Sequence, residues 1–144
     1  AAGSDEAYLL ARAIQFFSPG IPMVYHMGLL AGENDYELME RTGVPRNISR
    51  HDYSKEEIAR AVEKPVVQRL CELMRFRNEW DVFDGEYVVT DTPDDVLEIV
   101  VTDDKKGKGA RLWADLKGYQ WEVSTFGAKS GAKAPGGCDS PRTP

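Results

Sequence analysis

A short apolar run bounded by turn residues, Phe16-Phe17-Ser18-Pro19-Gly20-Ile21-Pro22-Met23-Val24-Tyr25-His26-Met27-Gly28, constrains the fold more than any other stretch of the chain. Between Pro19-Gly20 and Gly28 there is too little chain for a helix, so residues 21–26 are expected to form a buried strand entered through a tight turn. Pro22 falls at the strand's start, where a missing N–H is tolerated. Upstream, Ser4 can cap a helix whose first turn holds Asp5 and Glu6, acids suited to the positive end of the helix dipole. Leu10, Ala13, Ile14 and Phe17 repeat at helical spacing, which would pack that helix on the strand. Arg12 and Gln15 lie off this stripe and should be solvated.

Residues 29–53 show weak periodicity, and a connection of that length in a compact domain is usually either functional or a sign that elements within it have been misassigned. Glu33 through Met39 can form a short helical turn, and Arg41, Arg46 and Arg50 follow. Ser54-Lys55-Glu56-Glu57 is a capping-box pattern that starts a new helix. Lys64-Pro65 then breaks it, and Val66, Val67, Leu70, Leu73 and Met74 make an apolar face with Cys71 close by. Beyond Asn78 the pattern alternates, and strands are expected at 87–90, 96–101, 110–116 and 120–125. Asp91-Thr92-Pro93-Asp94-Asp95 and the stretch 103–109 supply the turns, with the lysines of 105–108 at a solvated hairpin tip. From Gly127 onward Gly, Ala, Lys, Ser and Pro predominate, the composition of a disordered tail.

The 144 residues fall in the range of one domain, with a net charge of −6 and a pI near 5.0 that give no electrostatic footprint for nucleic acid. No apolar run is long enough to span a bilayer and no charged-then-apolar leader is visible, so a cytoplasmic location is expected. Cys71 and Cys138 make no disulfide framework. Without a leader, the formal acceptor Asn47-Ile48-Ser49 carries little weight.

Gly20, Pro22, Tyr25 and Gly28 resemble the last barrel strand of the alpha-amylase clan, glycoside hydrolase family 13, in which the final glycine usually comes one residue earlier. The ordered runs Gly28-Leu29-Leu30-Ala31-Gly32-Glu33-Asn34-Asp35, Asn47-Ile48-Ser49-Arg50-His51-Asp52-Tyr53-Ser54, Lys64-Pro65-Val66-Val67 and Phe76-Arg77-Asn78-Glu79 look like its sucrose phosphorylase subgroup. This likeness covers roughly residues 7–89. It implies an α/β fold: the carboxyl-terminal part of a (β/α)8 TIM barrel, followed by a small antiparallel β domain. Residues 1–80 would supply the last helix, strand and helix of the barrel, 81–126 the β domain and 127–144 the tail. A whole barrel takes about 250 residues, so a fragment lacking amino-terminal barrel segments is expected.

In a parallel barrel the segment leaving the carboxyl end of a strand lies on the active-site face. Guanidinium and carboxylate groups can bridge neighbouring sugar hydroxyls. By resemblance, Arg50 would hold the transferred glucose, and Arg46 matches the family's other arginine in this segment. Asp35 and His51 complete the candidate substrate-binding set, although Asp35 reads equally as a helix-starting acid. His51 and His26 are more often structural than ligating. Met23, His26 and Val44-Pro45 depart from the family pattern, leaving the acceptor open among fructose, its phosphate, glycerol and glycerate. Trp113 and Trp121 could stack on a sugar, but sheet packing is favoured.

A retaining transfer needs two carboxyl groups about 5–5.5 Å apart. In the clan these come from segments not found here, so no catalytic residue is assigned and the chain alone is expected to be inactive. The resemblance implies no metal or organic cofactor, with an α-glucoside and inorganic phosphate as the complete enzyme's partners. Two alternatives stand beside this reading: a non-catalytic carbohydrate-binding or interaction module, and a fragment of a hydrolase of the same clan.

Overall fold

The computed structural model describes residues 3–127. The tail expected from Gly127, and Cys138 within it, lie outside the described residues from position 128 on. The chain divides into two compact units, one of residues Ala1–Pro22 with Cys71–Pro144 and one of Met23–Leu70.

In the first unit, Ser4 Oγ accepts the Ala7 amide hydrogen at 3.1 Å and starts α1 (Asp5–Phe16), whose Asp5 and Glu6 occupy the first turn as expected. Leu9, Leu10, Ala13 and Phe16 are buried along one face, and Phe17 directly after the helix is fully buried. The Phe17 ring meets Phe83 edge-on at 5.3 Å and stacks on Phe76 at 6.2 Å, geometries that aromatic quadrupoles favour. Off the stripe, Arg12 donates to Gln15 at 2.7 Å.

The same unit holds a four-stranded antiparallel sheet, β1 (Glu86–Val89), β2 (Val96–Asp103), β3 (Lys108–Asp115) and β4 (Gln120–Gly127), in the order β1-β2-β3-β4. Each strand lies within two residues of its expected ends. Period-two alternation places Ile99 and Val101 of β2 on the buried face with Ala110, Leu112 and Ala114 of β3 and Trp121 and Val123 of β4. α1 contacts β3 and β4. Trp121 is buried in this sheet and Trp113 half-buried. At the β2–β3 tip, Lys106 pairs with Asp103 and Asp81, and Lys108 pairs with Asp81.

The expected strand over residues 21–26 is not formed. Ile21 is 98% exposed and Met23 83%, Tyr25 is extended at φ −73° and ψ 150°, and from His26 the backbone turns into a short helix, α2 (His26–Leu29). A parallel strand takes its hydrogen bonds from neighbours on both sides. Among the described residues no strand pairs with it.

The second unit continues from α2 through α3 (Tyr36–Thr42), a 3₁₀ helix (Pro45–Ser49) and α4 (Lys55–Val62) to the first part of α5 (Pro65–Glu79). Gly43, at φ 64°, ends α3 in the left-handed conformation that a side chain resists. Both hydrogen bonds of the capping box are present at α4, and Pro65 begins α5 as expected. No described helix is long and apolar enough to cross a membrane.

Candidate functional site

Between α2 and α4, local capping chemistry and one histidine build a polar cluster. Asp35 caps α3: its Oδ1 accepts the Leu38 amide hydrogen at 2.8 Å. Glu57 closes the capping box of α4, its Oε2 accepting the Ser54 amide hydrogen at 2.7 Å. Each carboxylate has one oxygen left, and both turn to His51. Nδ1 of His51 lies 2.7 Å from Asp35 Oδ2 and Nε2 lies 3.2 Å from Glu57 Oε1.

The cluster is supported on its other sides. The Tyr53 ring stands edge-on to His51 at 4.7 Å, and His26 Nε2 is 3.3 Å from the His51 carbonyl oxygen. The Asp35 amide donates to the Ile48 carbonyl at 2.8 Å. Asn47 donates to Thr42 Oγ1 at 3.0 Å, tying the 3₁₀ helix to α3.

These bonds set the electrostatics. His51 and then the Leu38 amide hold Asp35 below the usual carboxylate range. The Ser54 amide and hydroxyl, then His51, do the same for Glu57. Asp35 and then Glu57 raise His51, and burial raises Tyr53. A catalytic proton donor needs a carboxyl whose pKa is raised. Asp35 and Glu57 are shifted the other way, so the arrangement suits anchoring rather than proton delivery. No group of three His, Cys, Asp or Glu side chains that could hold a metal ion occurs among the described residues.

Two shallow depressions, of about 420 and 510 Å³, share Asp35, Glu37 and His51 in their linings. Arg41 and Asp52 border the smaller, and Glu33, Tyr53 and Lys64 border the larger. Thus the structure brings Asp35 and His51 together. Arg46 lies on the 3₁₀ helix and Arg50 follows it; both are exposed, line neither depression, and have no side-chain hydrogen bond among the described residues. Glu57, Arg41 and Tyr53 were not among the site candidates read from the sequence. The available signal was Glu57 itself, since a capping-box carboxylate uses one oxygen and leaves the other for a partner.

Comparison with known proteins then decides the family. No protein-family model matches the chain. Sucrose 6(F)-phosphate phosphorylase of Thermoanaerobacterium thermosaccharolyticum is 53% identical over 119 residues, covering 83% of this chain and 24% of that protein. Glucosylglycerol phosphorylase of Marinobacter adhaerens is 58% identical over 84 residues, covering 58% of this chain and 18% of that protein. The crystal structure of sucrose 6F-phosphate phosphorylase from Thermoanaerobacter thermosaccharolyticum matches 91% of this chain and 26% of its own, with a TM-score of 0.83 at 44% identity.

The chain belongs to the sucrose phosphorylase-like group of glycoside hydrolase family 13.

It spans about a quarter of the length of the sucrose 6(F)-phosphate phosphorylases it matches, and the matched part of these sucrose phosphorylase-type proteins is carboxyl-terminal. Its fold is accordingly α/β, the carboxyl-terminal part of a (β/α)8 barrel followed by a small antiparallel sheet.

Proposed function

We propose that this chain is part of an enzyme that splits an α-glucoside with inorganic phosphate and releases α-glucose 1-phosphate with retained configuration. The observation that carries this reading is the 53% identity over 83% of the chain to a sucrose 6(F)-phosphate phosphorylase. Relatives named sucrose phosphorylase and glucosylglycerate phosphorylase point to the same reaction class. Retention takes two displacements: an enzyme carboxylate attacks the anomeric carbon as the leaving oxygen is protonated, then a phosphate oxygen attacks the glucosyl-enzyme and frees the carboxylate. No described residue of this chain is assigned either carboxyl role.

Arg50 would help to hold the glucosyl ring, with Arg46 beside it in sequence. The exposed Arg50 guanidinium offers a planar fork of donors to two neighbouring hydroxyls. Asp35 and His51 line the depressions nearby in sequence, where their remaining contact surface could meet the acceptor half of the substrate.

The test is phosphate-dependent release of glucose 1-phosphate from sucrose, sucrose 6′-phosphate, glucosylglycerol and glucosylglycerate. It is run on the 144-residue chain and on the full-length product of its gene. Activity in the longer protein alone is the expected result. Activity in the 144-residue chain would overturn the assignment of the catalytic carboxyls to other segments. Water-dependent glucose release without phosphorolysis would overturn the phosphorylase reading.

A further inference from the structure

We propose that His51 is a positioning residue: a doubly donating imidazolium that joins the start of α3 to the start of α4 and so fixes the connection carrying Arg46 and Arg50. The argument begins with a proton count. Both ring nitrogens face carboxylate oxygens, at 2.7 Å on Asp35 and 3.2 Å on Glu57. A neutral imidazole has one N–H, so one of these contacts would set lone pair against lone pair; with two N–H groups both are charge-assisted hydrogen bonds.

Neither carboxylate can turn away freely. The second oxygen of Asp35 holds the Leu38 amide and that of Glu57 holds the Ser54 amide. A proton on His51 is thereby coupled to the first turns of two helices. Between those turns the chain is held again by the Asp35 amide on the Ile48 carbonyl. Arg50 precedes the clamped histidine directly, so the course of its backbone follows the clamp.

The groups facing His51 favour the charged ring. Asp35 and Glu57 touch it, the Tyr53 ring packs edge-on, and His26 meets its carbonyl. Around the depressions stand the acids Glu33, Glu37 and Asp52 and the bases Arg41 and Lys64. The two direct carboxylates also raise the ring's proton affinity, Asp35 more than Glu57. With the folded value above the unfolded one of about 6.5, the clamp is complete below that pH and is lost as pH rises through the folded value. Any effect on sugar binding rests on the role given to Arg50 above; the clamp itself does not.

The experiment is nitrogen NMR of the His51 ring in the 144-residue chain across about pH 5 to 9, with amide hydrogen exchange followed in the same samples. Expected are two protonated ring nitrogens at neutral pH, and a fall of about tenfold in protection at Leu38 and Ser54 as His51 deprotonates, measured against Val101 and Leu112 in the sheet. Glu57→Gln should move the His51 midpoint downward. A ring with one proton at neutral pH, protection at Leu38 and Ser54 that tracks the sheet amides, or an unmoved midpoint in Glu57→Gln each overturns the proposal. Arg50→Gln in the full-length product tests the sugar role separately, because it removes neither carboxylate partner of His51. Loss of turnover in that variant beside a failed clamp, or an intact clamp beside unchanged turnover, shows which of the two readings has fallen.

Discussion

The Trp80 indole N–H donates to the Gly109 carbonyl at 3.2 Å across a spacing of 29 residues, in a buried setting. It joins the segment after α5 to the beginning of β3. Trp80 also stacks on Phe76 at 6.5 Å, and the Lys108 ammonium sits 4.9 Å from the Trp80 ring centre. Trp80→Phe keeps an aromatic ring there but removes the donor. A buried acceptor stripped of its partner costs about 1–3 kcal/mol. Urea unfolding should therefore show a lower midpoint with an unchanged slope. An unchanged midpoint would mean that the indole bond adds nothing to the packing.

Gly85 and Gly43 should answer differently to the same substitution. A Cβ at Gly85 would land on the Thr102 carbonyl oxygen, with its carbon only 2.7 Å away. Those atoms belong to the backbone of β2 and cannot swing aside. Gly85→Ala should cost about 1–3 kcal/mol, as overpacking does. At Gly43 nothing lies within 4 Å, and only the φ of 64° resists a side chain. Gly43→Asn should then be tolerated, since Asn accepts the left-handed region. Thermal unfolding of both variants tests the order, and a larger loss at Gly43 would reverse the argument.

The elements that were legible in the sequence are those specified by near neighbours. Ser4 and Ser54 reach amides three residues on, so their caps are written in adjacent letters. Ile99, Val101, Ala110 and Leu112 reveal their strands because a half-buried sheet repeats every second residue. Segment 21–26 was misread because its apolar content announces burial without saying which chain provides the ladder. The His51 cluster was half visible. Asp35 and His51 were candidates, but their pairing spans 16 residues across two helix starts. Glu57 was read only as a cap, because periodicity carries no information about its second oxygen.

Ser54→Ala tests the other half of that capping box, the serine hydroxyl. The substitution removes the oxygen that accepts the Glu57 amide at 3.2 Å. It leaves the Ser54 backbone N–H in place, so one half of the capping box survives. Loss of an N-cap hydroxyl costs about 1 kcal/mol. Hydrogen exchange should report the change as fraying of the first turn of α4, while sheet amides such as Leu112 keep their protection. Equal loss of protection in β3 would show that the cap supports the chain globally.

The dependence of stability on pH should have an acid limb and a weaker alkaline one. Lysines beside Asp81 and Asp103, Arg111 and then Thr90 beside Glu98, and the Gly118 and Lys117 amides beside Asp115 hold these carboxyls below their ordinary values. Asp35 and Glu57 are lowered as well. A depressed carboxylate contributes stability that is present above its unfolded pKa, about 3.8 for Asp and 4.5 for Glu, and is lost as pH falls through the folded one. His51 has the opposite sign: its contribution is present in mild acid and fades as pH rises through its raised folded value. Stability should thus be greatest between the two, and urea midpoints across about pH 3 to 9 would trace it. Because Asp81 is exposed and the other carboxyls are part-exposed, salt should flatten the acid limb in part by screening their partners. A midpoint that climbs as pH drops below about 4 would reverse the sign assigned to the carboxylates. Persistence of the alkaline limb in His51→Gln would place its origin in another group.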